Sequence, residues 1–137
     1  MVPNSFFELD VEGRFAALLL VDEQSAEEQR QLAKSAIKCM PYEDFLETTY
    51  WKTVRDYVVH KHDGQCYSCV SAKAVNVHHR TYAHHGEEHR YLTDLMPVCR
   101  TCHQILHEKR ERDSHATEDR LQNVFHLLAQ HINEVQS

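Results

Sequence analysis

The sequence predicts an α+β protein, and three observations predict it. Segments with helical periodicity occupy both ends of the chain. Only two short stretches, AVNVHH (74–79) and DLMPVC (94–99), read as strands. Two C-x-x-C pairs, Cys66/Cys69 and Cys99/Cys102, stand on either side of that strand pair. The expected organisation is an acidic helical extension over 1–41, a central domain over 42–115 and a C-terminal amphipathic helix over 116–137 that packs on it.

From the N-terminus, residues 11–22 carry Phe15, Leu18 and Leu19 at helical spacing, and FAALLLV (15–21) reads as a buried helix face. It falls short of the ~18 apolar residues of a membrane span and lacks a basic leader and a small-residue cleavage site. The expectation is a cytoplasmic protein with no membrane partner. A second helix begins at Ser25, where Ser25-x-x-Glu28 has the pattern of a capping box; it carries Leu32, Ala36 and Ile37 on one face and stops at Pro41. Cys39, the one cysteine outside the pairs, is expected as a small buried residue of this helix.

Residues 1–30 hold seven carboxylates against Arg14 and Arg30, a net of −5 out of −6 for the whole chain. The body is therefore near neutral. It can hold nucleic acid through a local patch, but it lacks the broad positive field of a protein that coats DNA regardless of sequence. The acidic helices either pack on their own domain or present an interface to a second copy or a protein partner.

Beyond Pro41 comes a short helix with Phe45 and Leu46, then a longer one opened by Thr48 as N-cap, with Trp51, Val54 and Val58 on its apolar side. Asp63-Gly64 makes a tight turn that brings Cys66 and Cys69 round as a knuckle. The first strand ends on His78-His79, the second leads into RTCHQILHEKRE with helical spacing, and 117–135 forms a last amphipathic helix with Leu121, Val124, Phe125, Leu128, Ile132 and Val135 on one stripe.

The cysteine count is odd, but four of the five form two C-x-x-C pairs separated by 29 residues. That is a metal pattern rather than a disulfide framework: Cys66, Cys69, Cys99 and Cys102 supply four thiolates, and zinc takes four such ligands in a closed tetrahedral site. A closed site has no position left for chemistry, so its role is structural. The histidines belong elsewhere. His103 and His107 are i and i+4 on a helix, one turn apart on one face, and can share an ion. The adjacent pair His78-His79 can offer only one imidazole to that face, because strand alternation sends the other away. Three protein ligands on a cation, beside an unligated imidazole, is the equipment for metal-assisted hydrolysis.

These residues carry a resemblance. YEDFLETTYWKTVRDYVVHKHDGQCYSC, VHHRTY, Gly86, Glu88, "DL" and CRTCHQILH together resemble the HNH endonuclease family, over 42–107, about half of the chain. The resemblance implies a ββα-metal core with a structural zinc. It makes His79 the general base, and His78, His103 and His107 the ligands of a catalytic divalent cation (Mg, Mn, Ni or Zn). Asp94 stands where the family has asparagine, nine residues before His103, and is expected to brace the loop that bears the base. An aspartate accepts hydrogen bonds there but cannot donate as an amide does. Arg80 and Arg90 are candidates to hold flanking phosphates of a DNA substrate, and His84, His85 and His89 are expected as loop histidines at the surface. The implied activity is hydrolysis of DNA to a 5′-phosphate and a 3′-hydroxyl. The alternative is an HNH-fold, zinc-stabilised module that binds a protein through its N-terminal helices and cleaves little or nothing.

Overall fold

The computed structural model describes residues 4–112 and residue 131. The elements in order are α1 (Asn4–Glu8), α2 (Val11–Gln24), α3 (Glu27–Cys39), α4 (Tyr42–Phe45), α5 (Thr49–Lys61), β1 (Asn76–His79), two single 3₁₀ turns (Glu88–Arg90 and Leu92–Asp94), β2 (Leu95–Val98) and α6 (Arg100–Arg112). This is a mixed architecture of helices around one small antiparallel sheet. The last amphipathic helix expected from sequence, with Leu121, Val124, Phe125, Leu128, Ile132 and Val135, lies outside the described residues; within its span only His131 is placed, helical and buried.

β1 and β2 pair in the register Asn76 with Val98, Val77 with Pro97, His78 with Met96 and His79 with Leu95. Paired residues share a face and neighbours along a strand alternate, so the two-stranded sheet has two different sides. Met96 and Val98 turn to one side and pack with Cys66, Cys69, Cys99, Cys102 and Leu106 of α6. Val77 and Leu95 turn to the other and pack with Phe45 and with Trp51, Val54 and Val58 of α5. Both sides are buried, and so all four residues of β2 are buried.

α5 forms where the sequence places it. Thr48 Oγ1 accepts from Trp51 N at 3.1 Å, satisfying one of the free N–H groups of the first turn. Its far end closes with Asp63 at φ 54° and Gly64 at φ 73°, left-handed conformations that suit Asp-Gly, with Gly64 N donating to Val59 O at 2.9 Å.

The N-terminal helices dock on α5 through Phe15, whose ring is buried and stacks on Tyr57 with centroids 3.8 Å apart. Three sequence expectations are corrected here. The second helix starts one residue later than the capping-box pattern predicted: Ala26 is its N-cap, with Ala26 N donating to Gln29 Oε1 at 3.2 Å. Ser25 instead closes the preceding helix, its hydroxyl donating to Val21 O at 2.7 Å. The run at 15–21 buries Phe15 only, while Leu19, Leu20 and Val21 are exposed; α2 is covered on one side alone. On α3, Leu32 and Ala36 face solvent, Ile37 is half-buried and Cys39 is exposed.

Polar contacts complete the docking of α2 and α3. Arg90 donates to Asp22 Oδ2 from Nε (3.0 Å) and Nη2 (2.6 Å), and Lys34 pairs with Glu87. Gly86, at φ 98°, lets the loop approach α3 closely, since a Cβ there would lie 3.0 Å from Lys34 Cγ and 3.3 Å from its carbonyl oxygen. Among the described residues no helix is long and apolar enough to cross a membrane.

Phe15→Ala is expected to lower the unfolding free energy by about 3 kcal/mol, the usual range for emptying a buried aromatic site. Chemical denaturation measures it, and an unchanged midpoint would show that α2 is not part of the core.

Candidate functional site

The knuckle after α5 and the first turn of α6 bring four sulfurs together. Cys66, Cys69, Cys99 and Cys102 are all buried, none is in a disulfide, and their Sγ atoms lie within 4.8 Å of one another, with Cys69 and Cys99 at 4.0 Å. Four ligands at the Zn–S distance of about 2.3 Å in a tetrahedron sit roughly 3.8 Å apart, so the set can hold one metal ion such as zinc. Burial pushes the Cys102 thiol up, and its neighbours Cys99 and Cys66 add to the shift. Burial also works against the Cys66 thiolate, yet backbone N–H groups around it hold its pKa below the ordinary value. Several thiolates crowded out of water repel one another, and a divalent cation relieves that repulsion. His131 Nε2 reaches to 3.8 Å from Cys99 Sγ.

A second cluster lies where β1 meets α6. His78 turns to the α6 side of the sheet, and His103 and His107 meet it one helical turn apart, their Nε2 atoms separated by 3.0 Å. The ring centroids of His78 lie 5.6 Å from both, and the three ligand nitrogens fall within 4.8 Å of one another. Ligands about 2.1 Å from a shared ion stand roughly 3.0–3.4 Å apart, which fits the helical pair. Burial and the neighbouring His107 both lower the His103 pKa, favouring the neutral imidazole that ligates metal. His78 is buried, His103 half-buried and His107 exposed, so the cluster is open on one side.

His79 points the opposite way, into the aromatic side of the sheet. Its ring lies between Trp51 (centroids 4.9 Å, 22° between planes) and Tyr82 (4.7 Å, 14°). Nε2 is 3.1 Å from Glu88 Oε2 and Nδ1 is 3.4 Å from the Tyr42 hydroxyl. Glu88, only 2% exposed, collects four donors: His79 Nε2 and His85 Nδ1 (2.7 Å) on Oε2, and Tyr50 OH (3.1 Å) and Gly86 N (2.9 Å) on Oε1. Burial alone would raise the Glu88 pKa, but hydrogen bonds from His79, its own backbone and His85 outweigh it and hold the carboxyl at about 2. His79, His85 and Glu88 also lie close enough to share a cation. Both imidazoles hydrogen-bond the carboxylate through Oε2.

No protein-family model, curated protein or solved structure matches this chain. The chemistry has to be read from these side chains.

The sequence-predicted residues divide as follows. The four cysteines converge, and so do His78, His103 and His107. Asp94 braces the loop after β1 in two ways: its carboxylate accepts from His84 Nδ1 at 2.7 Å, and its backbone oxygen accepts from Arg80 N at 2.7 Å. Arg80 lies over the Tyr67 ring, 4.8 Å from its centroid. Arg90 is engaged by Asp22 of α2, on the side that holds the N-terminal helices. The loop histidines are not the scattered surface residues expected. His84 stacks on Tyr91 at 3.5 Å, His85 bonds Glu88, and His89 is buried with Nδ1 2.9 Å from the Tyr50 hydroxyl and Nε2 3.3 Å from Asp22. Tyr50, Trp51 and Glu88 acquired no site role from sequence, because the contacts that join them to His79 and His89 span 9 to 39 positions.

Two outcomes are expected. The purified protein carries about one tightly held zinc per chain, and Cys66→Ser or Cys102→Ser loses both metal and fold by elemental analysis and circular dichroism. Glu88 titrates below its unfolded value near 4.5, so its contribution is present at neutral pH and lost as pH falls toward 2. Glu88→Gln is therefore less stable than the parent at pH 7, with the gap narrowing between pH of about 4.5 and 2; a constant gap in pH-dependent denaturation contradicts this.

Proposed function

We propose that the chain is a metal-dependent DNA endonuclease of the HNH type, with a ββα-metal core. The observation that carries this reading is the convergence of His78, His103 and His107, adjacent in sequence to an imidazole, His79, that is outside the set. Three neutral ligands leave positions open on a cation, which a closed four-cysteine site does not. His78, His103 and His107 would hold a divalent cation, Mg, Mn, Ni or Zn, which when bound would supply positive charge to the phosphate under attack.

His79 is the general base in this reading. The ionised Glu88 can only accept a hydrogen bond, so Nε2 carries the proton and the neutral ring presents Nδ1 as its basic atom. Nδ1 faces the Tyr42 hydroxyl, and Tyr82, 45% exposed, covers the outer face of the ring. His79 is 2% exposed, so access of water to Nδ1 requires the Tyr42 hydroxyl that faces it, and the Tyr82 ring stacked beside it, to move aside. His79 then takes the water proton, Glu88 stabilises the imidazolium, and attack in line leaves a 5′-phosphate and a 3′-hydroxyl. Asp94 acts at one remove, holding the loop that follows His79 through His84 and Arg80 N.

A second reading, a protein-binding module, draws support from exposed Leu20, Val21 (63%) and Leu32 (67%) on the N-terminal helices. Under it, Val21→Glu with Leu32→Glu abolishes an association measurable by light scattering or pull-down, and the chain nicks DNA little or not at all.

Plasmid nicking with added Mg, Mn or Ni tests the first reading. His79→Ala is expected to slow nicking roughly 100-fold while binding of the catalytic cation persists. His78→Ala weakens that binding in calorimetric titration, and its defect is relieved by more metal. If both variants nick like the parent, the activity is a contaminant and the endonuclease reading fails.

A further inference from the structure

A groove of about 300 Å³ opens where the C-terminal end of α5, the cysteine knuckle and the loop-side ends of the strands meet. Its walls include Tyr57, Lys61 and His62 from α5, Tyr67 from the knuckle, Arg80 from the end of β1, and Leu95. No acidic side chain lines it among the described residues, in a chain whose net charge is −6. The cations are interleaved with rings. The Arg80 guanidinium lies 4.8 Å from the Tyr67 centroid, Lys61 Nζ lies 5.9 Å from that of Tyr57, and His62 meets Tyr67 edge-on at 5.6 Å. Tyr67 remains about half exposed, so the part of its ring that Arg80 and His62 do not cover is open to a ligand.

We infer that this groove binds one nucleotide unit of single-stranded or locally opened DNA, its phosphate against Lys61 and Arg80 and its base against Tyr67. The chemistry is that of a single-strand platform: cations that track the backbone, and a ring on which any base can stack. The volume is at the small end of ligand sites, enough for one nucleotide and too little for a turn of duplex. Arg80 directly follows His79, and Leu95, which lines the groove, is the strand partner of His79, so the bound nucleotide lies on the side of the sheet that holds His79. The inference deepens the endonuclease reading by naming what flanks the scissile phosphate, and it rests on that reading for its purpose but not for its test.

The test is fluorescence anisotropy of a short labelled oligothymidine with the full-length, zinc-loaded protein and no added divalent cation, so that binding is read without cleavage. Lys61→Ala with Arg80→Ala is expected to weaken binding about ten-fold and to flatten the dependence of log K on log salt by roughly one to two charges. Tyr67→Ala is expected to cost about ten-fold with the salt slope unchanged, since stacking releases no counterions. Lys61→Glu, a change at an exposed helix end, keeps the test sound if a knuckle variant loses zinc. A parent that does not bind the oligonucleotide, or variants that all bind it like the parent, overturns the groove even if plasmid nicking persists. Binding that depends on Lys61, Arg80 and Tyr67 in a protein that nicks nothing upholds the groove and removes the endonuclease.

Discussion

Glu88 carries its charge where almost no water reaches it, and the arrangement around the strand pair follows from that. A carboxylate withdrawn from solvent is tolerated only when its oxygens are occupied by donors, and here the donors come from three different parts of the chain: Tyr50 of α5, His79 of β1, and His85 with Gly86 N in the loop. Each of those bonds fixes something the sheet alone leaves free. The loop between the strands is folded back onto α5, the His79 ring is held in one orientation, and Gly86 is brought against α3. A two-stranded sheet has little stability of its own, so an ionic hub of this kind and a metal-sized cysteine cluster stand in for the core that so short a segment cannot supply.

The sheet then works as a partition. Because neighbouring side chains alternate, the adjacent residues His78 and His79 belong to different environments: one joins two helical histidines on the α6 side, the other enters an aromatic slot on the α5 side. The cysteine cluster lies with the first, through Met96 and Val98, and the Phe15–Trp51 core lies with the second, through Val77 and Leu95. One hairpin thus touches both clusters and both cores.

The acidic extension has a more specific part than its net charge implied. Asp22 is held below its ordinary pKa, burial notwithstanding, by Arg90 and His89, which ties α2 to the loop beyond β1. Lys34 pairs with Glu87 from α3. Part of the charge that reads as a repellent acidic face is therefore spent within the fold, and the exposed apolar positions of α2 and α3 are what distinguish that surface.

Local pattern alone determined several features of this protein. The Thr48 cap, the Asp63-Gly64 turn, the two short strands, the helix carrying His103 and His107, and the paired cysteines all depend on residues within a few positions of one another, or on ligand chemistry with a spacing of its own. Alternation also required the histidine pair to split. Only the tertiary structure decided what each half of the pair meets, because Glu88, Tyr42, Trp51 and Tyr82 are brought to His79 by loop closure and helix docking, and no periodicity encodes such contacts. The same holds for His84, His85 and His89, whose sequence neighbours suggest an exposed loop, and for Cys39, Leu19 and Leu32, whose apolar character suggested burial on helices that are covered on one side only. Sequence sets which groups can bond and at what local spacing; which of them lose water, and so acquire strong partners, is set by the packing of distant segments.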